Sequence, residues 1–261
     1  MSSEEWKEKG NVALREGKLE EAIQCFTNGI EIDPANAILY SNRSAAYGQQ
    51  GSWTTALQDA DRTIELRPEW GKAHSRRGLA LYRQGRYEEA LQSYNTALHF
   101  DPTNSDIPKI LSTVQSSWKA SEQNCLGEEQ LSRGKHSVAL PFFEEAAKLD
   151  PQCALYHSNL SHTYLCLRKF QPATKAAEKV ISLRPQWHKG YQRKGEVLHQ
   201  EGKYQEAAQI FAYALQIEPK NDQLNHAFTR TQAEIFRANQ YKKDEPKGVL
   251  DSIKDFFGFS P

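Results

Sequence analysis

The sequence contains no apolar run near the roughly 20 residues that a transmembrane helix requires, so we expect no membrane partner. A secretory signal is also missing from the start MSSEEWKEKG, which is charged from the fourth residue on. An excess of one charge is absent as well, because 33 Lys and Arg balance 33 Asp and Glu. Without a transmembrane run or a secretory signal, we expect a cytoplasmic protein. Because the charge is balanced, no overall field attracts nucleic acid, and any charge selectivity must come from local clusters.

Cysteine is scarce, and its four copies show no CxxC spacing. Cys153 and His157 lie one helical turn apart, with His162 further along, but a zinc site would need more ligands on that face. Thiols at helical positions are more often packing residues, so we expect no metal and no cofactor. A glycine-rich phosphate loop and a nucleophile elbow are also missing, and we therefore do not expect an enzyme.

What the sequence does contain is a repeat marked by proline. Three prolines spaced by 34 residues precede a gap of 49, after which three more resume the spacing. An Ala lies twelve residues before each Pro, and a Gly or Ser lies twenty-four before it. Closely crossing helices need small side chains, and Pro ends a helix, so six helical hairpins are predicted. The prolines are Pro34, Pro68, Pro102, Pro151, Pro185 and Pro219, the small residues Gly10, Ser44, Gly78, Gly127, Ser161 and Gly195, and the alanines Ala22, Ala56, Ala90, Ala139, Ala173 and Ala207.

The long gap exceeds one period by 15 residues, which the segment NSDIPKILSTVQSSW occupies. Asn104 or Ser105 can cap a helix there, and Pro108 is tolerable in its first turn. We interpret this segment as a capping helix that closes a first module of three repeats. NDQLNHAFTRTQAEIFRANQY, after the sixth repeat, would close a second module in the same way.

This pattern resembles the tetratricopeptide repeat (TPR), an antiparallel helix pair of 34 residues. The resemblance covers nearly all of residues 3 to 220. The resemblance implies an all-α superhelix of six repeats in two three-repeat modules, each with a capping helix, in which the first helix of each pair lines the concave groove. The predicted domains are a first module at 1–117, a second module at 118–241 and a tail at 242–261.

Two long stretches of the repeat are nearly copies, LRPEWGKAHSRRG at 66–78 and LRPQWHKGYQRKG at 183–195. Each places two cations four residues apart, on one helix face, where unpaired like charges cost roughly 0.2–0.5 kcal/mol. Gly78 and Leu81 mark the packing side of the first copy, so its cations are expected to face the groove. The first helices of repeats 1 and 2 carry further donors on the comparable face. Together with the two cations of repeat 3 they form a set of five: Lys7, Asn11, Asn42, Lys72 and Arg76.

Ammonium, guanidinium and amide donors without a matched acid suit a carboxylate ligand. The motifs WKEKGN, LYSNRSAAY and WGKAHSR are similar to those of carboxylate-clamp TPR domains, above all the first module of the Hop-type co-chaperones. This resemblance implies that the five donors hold the C-terminal Glu-Glu-Val-Asp of the cytosolic seventy- and ninety-kilodalton heat-shock chaperones. Two alternatives stay open, namely cations that are merely solvated or paired with nearby acids, and a general scaffold that binds internal segments without a free carboxyl end.

The second module departs from this pattern. Asn159, Lys189 and Arg193 match the later clamp positions, but Asn124 stands in place of Lys7 and Glu128 in place of Asn11. A carboxylate at the last position would repel a bound carboxylate. The module is therefore interpreted as a partial clamp with three open roles: a different, second protein ligand, a ligand shifted toward the later repeats, or a structural part.

The tail VLDSIKDFFGFSP places apolar residues on one face of a short predicted helix. It either folds back as a last capping element or detaches to enter a groove. The residues of this face are Val249, Leu250, Ile253, Phe256 and Phe257.

Overall fold

A computed structural model describes residues 1–244, with side chains described through residue 240. This part of the chain forms thirteen α-helices and no strand, which confirms the predicted all-α class. None of these helices is both long enough and apolar enough to cross a membrane. The helices are α1 (Ser3–Arg15), α2 (Leu19–Ile32), α3 (Ala37–Gln50), α4 (Trp53–Leu66), α5 (Gly71–Arg83), α6 (Tyr87–Phe100), α7 (Ile107–Ser132), α8 (His136–Leu149), α9 (Ala154–Cys166), α10 (Phe170–Leu183), α11 (His188–Gln200), α12 (Tyr204–Ile217) and α13 (Asp222–Asp244).

The helices group into two compact units, unit 1 from Met1 to Ser121 and unit 2 from Glu122 onward. The boundary falls inside α7. The predicted domain limits at residues 117 and 241, and the division into three repeats per module, stay predictions. The amphipathic face predicted for Val249 to Phe257 lies outside the described residues.

Each of the six repeat prolines follows the end of a helix, as predicted. In the first hairpin α2 ends at Ile32, and Asp33 is its C-cap before Pro34. The same order of last helical residue, C-cap and Pro recurs after α4, α6, α8, α10 and α12. Proline disfavours helical geometry in the residue before it and lacks an N–H, so the second helix of each pair stops there.

Four of the six small residues are Gly, and each of these accommodates an aromatic ring. A Cβ on Gly10 would lie 2.5 Å from Cε1 of Phe26, which is fully buried. The same relation holds for the pairs Gly78 and Tyr94, Gly127 and Phe143, and Gly195 and Phe211. In the two hairpins where Ala60 and Ala177 replace the ring, the small residue is Ser and contacts a backbone: Ser44 donates to the carbonyl of Ala56 at 2.7 Å, and Ser161 to that of Ala173 at 2.9 Å. The positions were predicted correctly; the expected approach to a backbone is found at the two Ser residues, and a ring fills the space at the four Gly residues.

The predicted capping segment is not a separate helix, because it continues into the next helix as the 26-residue α7. The predicted caps Asn104 and Ser105 were wrong by one or two residues, because α7 begins at Ile107 and Asp106 precedes it; the Asn104 side chain accepts from the backbone N–H of Asp106 at 3.2 Å in the turn before the helix. Pro108 lies in the first turn, as expected. Between residues 117 and 122 the chain reads SWKASE, without Gly or Pro to interrupt the backbone hydrogen bonds. The predicted closing helix after the sixth hairpin is present as α13.

Core clusters lie within each unit, around Phe26 and around Leu81 in unit 1 and around Phe211 in unit 2. Unit 1 also contains a buried ion pair in which Arg43 bonds Asp59 through two nitrogens, each at 2.8 Å. Cys25 packs in the interior, whereas Cys125 and Cys166 are exposed, so the expected packing role is wrong for those two.

Candidate functional site

The five predicted donors lie on the first helices of three successive hairpins in unit 1. Lys7 and Asn11 belong to α1, Asn42 to α3, and Lys72 and Arg76 to α5. The packing side of α5 is formed by buried residues that include Gly78, Ala80 and Leu81, and Lys72 is exposed as the sequence predicted. We call the surface formed by the five residues the donor face.

Two hydrogen bonds join the helices across this face. Asn42 donates from Nδ2 to Oδ1 of Asn11 at 2.9 Å, and Arg76 donates from Nε to Oγ of Ser41 at 2.9 Å. The structure thus joins Asn42 to Asn11, and it bonds Arg76 to Ser41, the residue before Asn42. Lys7 and Lys72 lie one turn before Asn11 and Arg76 on the same faces of α1 and α5.

Lys72 and Arg76 have no acidic partner within the described residues, whereas Arg77 of the same helix pairs with Asp61. Desolvation lowers the pKa of Arg76, and desolvation followed by the charge of Arg76 lowers the pKa of Lys72. Both shifts record a cation that has lost water without gaining an anion. Among the described residues only Nε of Arg76 is bonded, so neither terminal nitrogen of its guanidinium has a partner there. An anionic ligand would compensate both charges.

Lys7 is the exception, because its Nζ lies 2.5 Å from Oε1 of Glu4, three residues earlier. The Lys7 side chain is 18% exposed, but that of Glu4 is 72% exposed. Pairs of this kind at a helix surface are worth only about 0.3–0.5 kcal/mol. A ligand carboxylate can therefore take the place of Glu4. Asn11 makes a longer contact, from Nδ2 to Oε2 of Glu8 at 3.5 Å.

A cleft of about 290 Å³ adjoins the donor face at Arg76. Its lining is mostly apolar and includes Ala45, Trp53 and Leu79, with Ser44 and Gln49 as the other polar residues beside Arg76. Such a cleft suits a small apolar side chain next to a bound carboxylate.

The corresponding face of unit 2 comes from α7, α9 and α11, and its charges are arranged differently. Asn159 uses both hydrogens of Nδ2, one bonded to Oδ1 of Asn124 at 2.9 Å and the other to Oε1 of Glu128 at 3.0 Å. Arg193 donates from Nη1 to Oε2 of Glu196 at 2.8 Å. Lys189 donates to Oε1 of Gln192 at 3.2 Å. Asn159 therefore has no N–H left for a ligand and Arg193 is paired with an acid, whereas Nε of Arg193 is buried without a partner among the described residues.

Two residues on this face were missed by the sequence analysis. Glu196 and His162 both contact Arg193, with Nη1 of Arg193 lying 3.3 Å from Nδ1 of His162. Desolvation, and then the charge of Arg193, lowers the pKa of His162. Aligning the two copies at their separation of 117 places Glu196 opposite Leu79 and His162 opposite Ala45. These two differences between the copies are the feature of the sequence that could have indicated the altered surroundings of Arg193.

Comparison with protein families identifies the repeats directly. The family described as "TPR repeat" matches residues 10–51, and families described as "Tetratricopeptide repeat" match residues 71–104 and 188–221. The chain contains TPR repeats. The fold agrees with that of the P58(IPK) TPR domain, which has a TM-score of 0.63 over 90% of this chain and 66% of that one, at 18% identity.

The curated relatives of this TPR chain bear the names expected from the clamp motifs. Hsp70-Hsp90 organizing protein 3 of Arabidopsis thaliana is 42% identical over 90% of this chain and 46% of its own length. The Hsp70-Hsp90 organizing protein of Triticum aestivum is 28% identical over 90% of this chain and 44% of its own length. The resemblance to Hop-type proteins is confirmed. The chain spans less than half the length of these two plant relatives.

Proposed function

We propose that this TPR protein is a cytoplasmic co-chaperone adaptor, rather than an enzyme, and that its donor face binds the C-terminal Glu-Glu-Val-Asp of the seventy- and ninety-kilodalton heat-shock chaperones. The observation that carries the proposal is the pair Lys72 and Arg76, two partly desolvated cations on one helix face without an acidic partner in the described chain. The names of the plant relatives support the same partners.

The ligand carboxylates would occupy the positions between the three helices. Asn42 bonds Asn11 through one N–H of its amide, so its second N–H remains for a ligand oxygen. The terminal nitrogens of Arg76 and the ammonium of Lys72 supply charge, and the apolar cleft beside Arg76 receives the Val side chain. Each charge-assisted hydrogen bond contributes about 1.5–3 kcal/mol before the cost of ordering the peptide is subtracted. A few such bonds therefore agree with a dissociation constant near micromolar, which corresponds to a binding free energy of about −8 kcal/mol.

Calorimetric titration with a peptide that ends in Glu-Glu-Val-Asp tests the proposal. We expect Lys72→Ala and Asn42→Ala to abolish binding while circular dichroism shows unchanged helicity. Lys119→Ala is the matched control, since Lys119 is an exposed cation on α7 of unit 1 and lies outside the donor face.

A second peptide, amidated at its terminus, separates the clamp from a general scaffold. Amidation removes the main-chain carboxylate, so a clamp loses this ligand. Equal binding of the free and amidated peptides, or unchanged binding by Lys72→Ala, would refute the clamp and favour a scaffold that recognises internal segments.

A further inference from the structure

The two units carry the same pair of cations in different electrostatic surroundings. Lys72 and Arg76 of unit 1 correspond to Lys189 and Arg193 of unit 2, 117 residues later. Each pair lies at the same place in its hairpin, on α5 and on α11. The cations alone therefore do not distinguish the units, and any difference in ligand must come from the residues around them.

Around Arg193 the difference is a carboxylate. Oε2 of Glu196 accepts from Nη1 of Arg193 at 2.8 Å, and Oε1 of the same side chain accepts from Gln192 at 2.8 Å. Glu196 is only 24% exposed, so solvent screens this pair less than a surface pair. The equivalent residue of unit 1 is Leu79, which cannot pair with Arg76.

Around Asn159 the difference is a second carboxylate. Glu128 takes the place of the neutral Asn11 and accepts from the amides of both Asn124 and Asn159, each at 3.0 Å. Because Asn159 also bonds Asn124, neither of its two N–H groups remains for a ligand. Its counterpart Asn42 keeps one.

We infer that Glu196 and Glu128 act as internal carboxylates that close unit 2 to chain-end anions. Glu128 occupies the amide of Asn159, and Glu196 pairs with Arg193 through Nη1, while Lys189 bonds the neutral Oε1 of Gln192. A peptide carboxylate entering this face meets two negative charges that equal the two cations in number, and it finds the Asn159 amide and Nη1 of Arg193 already bonded, although Nε of Arg193 is buried without a partner among the described residues. In selecting against the peptide that unit 1 takes, these acids determine specificity; this part rests on the proposed function of unit 1.

The test restores the unit 1 residues in unit 2 of the full chain. Arg76→Ala removes one of the two unpaired cations of the donor face and with it peptide binding by unit 1, and Glu128→Asn with Glu196→Leu is then added in the same chain. Calorimetry with the Glu-Glu-Val-Asp peptide should detect no binding to Arg76→Ala and renewed binding to the triple variant. Each freed donor is expected to raise the affinity by a factor of about 10 to 100.

A matched control removes the same charge from unit 2 at other places. Glu122→Asn and Glu206→Leu, both at exposed positions, replace the two substitutions in the Arg76→Ala chain. This control should stay without binding; binding equal to that of the triple variant would overturn the inference, because bulk charge would then suffice. The single Glu196→Gln change in the otherwise unaltered chain is a gentler version, which should add a second, weaker peptide site.

The outcomes separate the inference from the proposed function. If the unaltered chain binds the peptide but neither the triple variant nor Glu196→Gln gains a site, the inference is wrong and the proposed function stands. If the unaltered chain does not bind, the proposed function fails. The inference is then decided by Glu128→Asn with Glu196→Leu, which must create a site that the unaltered chain lacks.

Discussion

At the residue scale, the turn inside each hairpin places one residue in the left-handed backbone region. Five hairpins have Gly there, with φ between 69° and 86°, whereas the fifth hairpin has Arg168 at φ 57°. A residue with a Cβ pays about 1–2 kcal/mol in this region, and Gly does not. The glycines are Gly17, Gly51, Gly85, Gly134 and Gly202.

We therefore predict that Arg168→Gly is more stable than Arg168→Ala by about 1 kcal/mol. Both changes remove the contact of the Arg168 guanidinium with the ring of Phe170, 5.7 Å from its centroid, so their difference isolates the backbone. Thermal unfolding followed by circular dichroism measures it. Equal midpoints for the two variants would show that this turn carries no strain.

Asn42, Lys72 and Arg76 of the donor face could be predicted because they recur at fixed helical positions, whereas Lys7 and Asn11 do not recur and were predicted from the resemblance to clamp motifs. Lys72 and Arg76 follow from the repeat register alone, and the structure adds the bond from Arg76 to Ser41. The pairing in unit 2 could not be predicted, because Glu196 reaches Arg193 only through the particular side-chain conformations that its neighbours allow. Helical periodicity assigns a residue to a face but does not select its partner.

At the element scale, α8 contains a proline beyond its first turn. Pro141 is the sixth residue of α8, lies exposed, and cannot donate to the carbonyl of Ser137. The equivalent positions of four other hairpins carry Gln, as at Gln92 in α6. The helix nevertheless continues to Leu149, since buried residues such as Ala139, Phe143 and Ala146 hold it in place.

We predict that Pro141→Gln stabilises unit 2 by about 1–3 kcal/mol, because it restores a backbone hydrogen bond and removes a steric clash. Amide hydrogen exchange read by mass spectrometry should show slower exchange across α8, with peptides from unit 1 as the internal reference. Gln92→Pro is the reciprocal control and should destabilise unit 1 by a similar amount. Unchanged exchange in α8 would mean that the helix has adapted fully to the proline.

The course of α7 shows the limit of prediction at this scale. The proline spacing placed both a capping segment and the next hairpin correctly, but their fusion into one helix depends on an absence of breaking residues between 117 and 122. A repeat pattern carries information where residues recur, and this junction occurs only once in the chain.

At the scale of the whole molecule, the charge is balanced, with 33 basic and 33 acidic residues, so long-range attraction contributes little to binding an acidic peptide. The attraction must come from the donor face, where Lys72 is exposed and Arg76 half-buried.

We predict that the affinity for the Glu-Glu-Val-Asp peptide falls by about three- to tenfold between about 0.05 and 0.5 M NaCl, because the Debye length shortens from roughly 13 to 4 Å. Titration calorimetry across this range measures the decline. Lys119→Ala should keep the same slope, because balanced charge elsewhere makes no net contribution, and a slope that changed with Lys119 would place the attraction outside the donor face.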